Sequence, residues 1–160
     1  ASARPSGGGV GSVGGSEGSR EALVQIPAGG CGEPASAESV LKGHHSLKMN
    51  GREIFKNAVR IMEGAVLQVL TQCSLKLEEV RWVFPHQANL RIIESLAERL
   101  RVPLERFPLN LQHYGNTSAA SIPLSLSQAH QRGQIQPGDL LLMVGFGAGF
   151  TWGASLVRWV

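Results

Sequence analysis

Three groups of residues in this chain have the types and the spacing to handle a carbonyl compound. His86 follows the β-branched and aromatic run Val80-Arg81-Trp82-Val83-Phe84-Pro85 and precedes a stretch of helical periodicity. It therefore stands at the carboxyl end of an expected strand, where open α/β sheets hold their ligands. The start of a helix carries positive partial charge and disfavours the imidazolium. A neutral imidazole there can donate a hydrogen bond to a carbonyl oxygen or to a developing enolate. A capping histidine with no ligand would satisfy the same position.

Asn116 stands in His113-Tyr114-Gly115-Asn116-Thr117-Ser118. Gly115 permits a sharp turn, and Asn116 before an apolar helix is a natural N-cap. Its amide N–H could instead converge on the oxygen that His86 meets, and an amide donor does not titrate near neutral pH. The third group is Gly145-Phe146-Gly147-Ala148-Gly149-Phe150. It looks like half of a dinucleotide fingerprint, but that fingerprint opens a helix inside a βαβ unit of about 30 residues, and too few residues follow for one. A tight crossing between two strands, with backbone N–H groups exposed near a ligand, fits better. A plain glycine-rich hairpin fits equally well.

Other candidates carry less. His44-His45 reads as a solvated loop pair, and Trp82 and Trp152 as packing residues. Arg91, Arg99, Arg101 and Arg106 surround one helix, either as a solvated face or as a face that meets an acidic partner. Cys31 and Cys73 make no disulfide framework and, with no second pair beside them, no zinc site. They read as reduced thiols of a reducing compartment.

The elements that must position these residues follow from periodicity. Asn50–Cys73 places apolar residues at 54, 58, 61, 62, 65, 69 and 73, with a second row at 55, 59, 66 and 70, which predicts a helix buried on more than one side. Val80–Pro85 predicts a strand, and His86–Arg101 a helix stopped by Pro103. A further helix is expected over Thr117–Gln131, ended by Gly133, with Pro123 tolerated only in its first turns or at a kink. Leu140–Val144 predicts a strand covered on both faces, and Phe150–Trp159 a last strand. A short strand is expected at Ala22–Ile26 and a long loop over 28–49. Strands alternating with helices imply an α/β layered domain with a mixed sheet.

Composition sets the outer bounds. The 160 residues, 42% of them hydrophobic, suffice for one domain with a core and not for two full-sized ones. A net charge of +3 argues against nucleic acid as the main ligand. No apolar run approaches the roughly 20 residues of a bilayer span, so no membrane segment is expected, and no secretory leader is visible. Ten of the 20 glycines precede residue 33. Residues 1–20, nearly devoid of large apolar side chains, are expected to form a flexible Gly/Ser-rich segment, with residues 21–160 as the folded domain.

Several of these segments together resemble one family. Phe84-Pro85-His86-Gln87-Ala88-Asn89-Leu90-Arg91-Ile92-Ile93 looks like the HQAN signature of β-ketoacyl-[acyl-carrier-protein] synthase III. His113-Tyr114-Gly115-Asn116-Thr117-Ser118-Ala119-Ala120-Ser121-Ile122-Pro123 looks like its GNTSAAS segment, and the 30 positions from His86 to Asn116 fit its spacing. Phe146–Gly153 resembles its C-terminal loop and Met49–Phe55 the start of its second-half helix. The resemblance covers roughly residues 20–160.

It implies an α/β, thiolase-like fold made of two similar halves, of which this chain looks like the C-terminal one, with a mixed five-stranded-type sheet and helices on its faces. It implies an acyltransferase that starts fatty-acid synthesis by decarboxylative Claisen condensation of acyl-CoA with malonyl-carrier protein. No cofactor or metal is implied. His86 and Asn116 match the family's His and Asn, which stabilise the malonyl enolate. The Ala148 N–H matches an oxyanion-hole donor. Asn89, Phe146 and Gly147 match substrate- or CoA-binding positions, and Lys56, Arg91 and Arg99 match basic positions that meet the acyl-carrier protein. A cytoplasmic homodimer is expected, with no nucleic acid or membrane as partner. A Cys-His-Asn set also occurs in chalcone-type polyketide synthases, but the HQAN context favours the priming synthases. The family's nucleophilic cysteine belongs to the other half, and neither Cys31 nor Cys73 matches its motif, so condensation by this chain alone is not expected. A non-catalytic module that binds carrier protein is the competing reading. Half of such a fold should expose apolar surface and self-associate.

Overall fold

The computed structural model describes residues 8–160. In chain order these form strand β1 (Gly8–Ser16), a 3-10 turn (Gly18–Leu23), strand β2 (Val24–Gln25), helix α1 (Ala37–Leu41), strand β3 (Lys48–Met49), helix α2 (Gly51–Gln72) and strand β4 (Val80–Pro85). Helix α3 (Leu90–Leu100), helix α4 (Leu111–Tyr114), helix α5 (Ser121–Gln131), strand β5 (Leu140–Gly147) and strand β6 (Thr151–Arg158) follow. The main sheet has the order β1-β6-β5-β4, with β4 parallel to β5 and the other pairs antiparallel. β2 and β3 pair in a separate two-stranded sheet.

The apolar run of β5 is buried on both faces because side chains alternate along a strand. Leu140, Leu142 and Val144 join a core with α2 and α3, while Leu141 and Met143 meet Phe84, Ala129 and Ile135 on the side of α5. The second helical row foreseen in α2 has the same origin. Val59, Val66 and Leu70 of that row are buried along with Ala58, Met62, Ala65 and Val69 of the first, since the helix packs against β1, β5, β6 and α3 together. Asn50 starts α2 by accepting the Glu53 N–H at 3.3 Å, a cap of about 1 kcal/mol. Arg101 ends α3 in the left-handed conformation. Among the described residues no helix is long and apolar enough to cross a membrane.

The structure corrects several expectations. Much of the Gly/Ser-rich segment is built into the sheet. Gly8–Ser16 pairs with β6 along its length, and Glu17 exchanges two backbone hydrogen bonds with Phe150 at 2.8 and 3.0 Å. The absence of large side chains is what this edge requires: Gly11 lies against Cys73 Sγ, and a Cβ on Gly15 would fall 2.5 Å from the Trp152 ring. Backbone pairing and close approach replace side-chain burial as the source of order. The first seven residues of the expected flexible segment lie outside the described residues.

The strand expected at Ala22–Ile26 shrinks to two residues, and the loop over 28–49 contains α1, begun by a Ser36–Ser39 capping box. The helix expected from His86 starts only at Leu90, capped by Asn89. The one expected from Thr117 starts at Ser121 after a 3-10 turn, with Pro123 in its first turn where its missing N–H costs nothing. The main sheet has four strands among the described residues, where the resemblance implied five.

Candidate active site

The site lies beyond the carboxyl ends of β4 and β5. The His86 N–H donates to the Val144 carbonyl at 2.8 Å, so the parallel ladder fixes the backbone of His86 one residue past the strand. Its Cβ lies 3.4 Å from where a Cβ on Gly145 would stand, and glycine admits the imidazole there. Phe146 meets the ring edge-on at 6.0 Å, and Phe150 stacks behind Phe146. His86 Nδ1 and Ser121 Oγ are 2.7 Å apart. Burial pulls the pKa of His86 below its ordinary value of 6.5, opposed in part by the Ser118 backbone. The ring is therefore neutral near pH 7.

Asn116 arrives from the other side. The sequence suggested an N-cap, but α5 is preceded by Ala120 and has no side-chain cap. Asn116 Oδ1 instead accepts the Ser118 N–H at 2.9 Å, closing a short turn upon itself. With the oxygen so occupied, the amide nitrogen is left to donate.

His86 and Asn116 line one cavity of about 760 Å³. Asn89, Arg91, Phe146, Gly147 and Ala148 line it too, and Leu47, Met49, Ile54, Phe55 and Ile92 give it an apolar wall. His86 also borders a second cleft of about 430 Å³ with Ser118, Ile122, Gly145, Thr151 and Trp152. The glycine-rich segment is thus both a β-hairpin and a cavity wall. Gly147 pairs with Thr151, and exposed Ala148 lies at the tip with its carbonyl accepting from Thr151 Oγ1 at 3.2 Å. Asn89 divides its duties, since its Oδ1 accepts the Arg91 N–H at 2.9 Å to cap α3.

The three expected cations do not stand alike. Arg91 lines the large cavity. Lys56 and Arg99 flank a shallow groove of about 330 Å³ between α2 and α3. Arg99 is already committed, its Nε donating to Glu63 at 2.7 Å. His44, expected as a solvated neighbour of His45, pairs with Glu33 at 2.9 Å, and His45 with Ser39 at 2.8 Å. Cys31 and Cys73 are free thiols, and neither lines the cavity.

Three residues inside the quoted motifs received no role from sequence. Ser118 and Ser121 hold Asn116 and His86. Gln87, fully buried, bonds the Pro85 and Pro108 carbonyls and the Asn110 N–H. A glutamine inside an apolar strand–helix junction was the available signal, because a buried amide must find partners.

Comparison with known proteins identifies the family. The family described as 3-Oxoacyl-[acyl-carrier-protein (ACP)] synthase III C terminal matches residues 70–159. The beta-ketoacyl-[acyl-carrier-protein] synthase III of Caldanaerobacter subterraneus is 44% identical over 150 residues, covering 94% of this chain and 45% of the relative. That of Roseiflexus castenholzii is 47% identical over 145 residues, covering 91% and 44%. The crystal structure of the Aquifex aeolicus 3-oxoacyl-[acyl-carrier-protein] synthase III superposes with a TM-score of 0.82 at 44% identity, covering 96% of this chain and 45% of that one. That of the Thermus thermophilus synthase gives 0.85 at 41%, covering 98% and 48%. The chain thus spans somewhat under half the length of the relatives it matches. With its α/β layers, its mixed sheet and its matching motifs, the chain belongs to the family of C-terminal domains of 3-oxoacyl-[acyl-carrier-protein] synthase III.

Proposed function

We propose that this chain supplies the enolate-stabilising part of a condensing enzyme that joins acyl-CoA and malonyl-carrier protein without a cofactor. One observation carries the reading: His86 and Asn116 line a single cavity, with the Asn116 oxygen occupied and its nitrogen left to donate. The malonyl carboxylate leaves as carbon dioxide, and the electron pair of the broken C–C bond passes into an enolate. His86 and Asn116 stabilise the enolate oxygen, which is worth most in a site already organised for it. The enolate carbon then attacks an acyl thioester, a C–C bond forms and a cysteine thiolate departs.

That cysteine comes from an N-terminal half such as the relatives' additional length would contain, since Cys31 and Cys73 are away from the cavity. The Ala148 N–H serves the acyl thioester oxygen, and Asn89, Phe146 and Gly147 line the path of the thioester arm. Lys56, Arg91 and Arg99 face the acidic carrier protein, and the working enzyme is a cytoplasmic homodimer.

The test is complementation. The chain is co-expressed with the N-terminal half of the Caldanaerobacter subterraneus relative and supplied with acetyl-CoA and malonyl-carrier protein. Activity that appears only with both halves, and disappears with His86→Ala, supports the reading. Carrier-protein binding by this chain with no activity in any combination would leave the non-catalytic module in its place.

A further inference from the structure

We propose that Ser121 is a positioning residue that holds the proton of neutral His86 on Nδ1, so that Nε2 is presented as an acceptor in the resting protein. The protons and lone pairs around the Ser121 hydroxyl fix this tautomer. Ser121 Oγ has three neighbours: His86 Nδ1 at 2.7 Å, the Gln87 backbone N–H at 3.2 Å and the Ser118 carbonyl at 2.8 Å. A hydroxyl offers one proton and two lone pairs. The carbonyl can only accept, so the hydroxyl proton must lie towards Ser118. The amide can only donate, so it takes one lone pair. The remaining lone pair faces Nδ1 at hydrogen-bond distance, and that contact is attractive only if Nδ1 carries the hydrogen. The opposite tautomer would turn the hydroxyl to Nδ1 and set two oxygen lone-pair regions against each other at 2.8 Å.

Ser121 is nearly inaccessible, at 1% exposure, so its hydroxyl has no water as an alternative partner. The close side-chain contact of the ring is the one at Nδ1, and the ring borders both clefts. Burial disfavours the doubly protonated ring, which leaves the Nδ1–H form as the resting state.

The catalytic consequence rests on the function proposed above. His86 then enters the reaction as a base that can take a thiol proton on Nε2, the S–H bond breaking as the N–H bond forms. The ring keeps that proton while CoA departs as its thiolate, so both ring nitrogens carry hydrogen when Nε2–H donates to the enolate oxygen.

The tautomer can be read in this chain without any activity. Long-range ¹⁵N–¹H correlation on ¹⁵N-histidine protein, above the titration range, separates pyrrole-type from pyridine-type nitrogens, and His86→Gln identifies the relevant signal. The expected result is a pyrrole-type Nδ1 and a pyridine-type Nε2 for His86. Ser121→Ala should raise the Nε2–H population, and Ser121→Thr, which keeps the hydroxyl, should restore the original pattern. Unchanged signals from His44, His45, His113 and His130 verify that each variant is folded. A pyrrole-type Nε2 in the unaltered chain, or a Ser121→Ala spectrum identical to it, would overturn the proposal. Because the readout is spectroscopic, a correct tautomer with no activity on complementation would indict the functional reading alone.

Discussion

Gln87 holds Asn110 by its backbone: Gln87 Oε1 accepts the Asn110 N–H at 3.3 Å, across 23 residues of sequence. The same side chain donates to the Pro108 carbonyl at 3.3 Å. One buried amide thereby ties the turn that carries His86 to the segment that leads into Asn116. Gln87→Leu keeps the volume but leaves the Asn110 N–H without a partner in a dry interior. It should cost about 1–3 kcal/mol, read as a lower urea midpoint at an unchanged slope. The complemented enzyme should also lose decarboxylation although His86 and Asn116 are both present.

Asn116→Ala should reduce malonyl decarboxylation in the complemented enzyme by about 10²–10³-fold, the usual effect of removing one oxyanion donor. Acyl loading, followed by mass spectrometry of the acyl-enzyme, should fall much less. An equal loss in both half-reactions would remove Asn116 from its assigned role. Without the second half, neither Cys31 nor Cys73 should acquire a stoichiometric acyl group from acetyl-CoA.

The pKa of His86 lies below its unfolded value of 6.5 because burial penalises the charged ring. Well above pH 6.5 both folded and unfolded rings are neutral, and His86 contributes no pH dependence. As pH falls below that value the unfolded state takes up its proton first, so stability declines until the folded ring is also protonated and the loss levels off. Histidine NMR titration should place the His86 midpoint below those of exposed histidines. Replacement by Gln should remove its share of the acid-side loss in urea titrations.

Gly15→Ala should push its new methyl to within 2.5 Å of the Trp152 ring, and cost about 1–3 kcal/mol. Gly9→Ala, with nothing within 4 Å and an ordinary backbone, should be nearly neutral. Equal tolerance at both positions in urea unfolding would return this segment to the status of a loose tail.

Arg99 and Lys56 should separate in carrier-protein binding. Arg99 is held by Glu63, an arrangement half-open to solvent and so worth no more than about 1 kcal/mol to the fold. Lys56 makes no ion pair among the described residues. Titration with carrier protein at low salt should show the larger loss of affinity for Lys56→Ala.

Much of this was legible in the sequence, and the exceptions share a cause. β4 and the length of α2 could be read from side-chain periodicity because their partners are apolar and their faces are buried. β1 could not, because its order comes from backbone pairing with β6, at the far end of the chain. His86, Asn116 and the glycine hairpin were visible as types in a pattern. The N-cap assigned to Asn116 failed because a 3-10 turn intervenes before α5. Ser121 and Gln87 were unreadable as partners, since their bonds connect segments whose proximity only the fold creates.

The register Pro85↔Val144 sets how far His86 stands from the glycine hairpin. A one-residue insertion in either strand would turn its side chains to the opposite face. Anyone wishing to reshape the cavity therefore has little freedom on the sheet side. The adjustable material is the opposite wall, where Leu47, Met49 and Phe55 are joined to no catalytic hydrogen bond and can be trimmed one at a time.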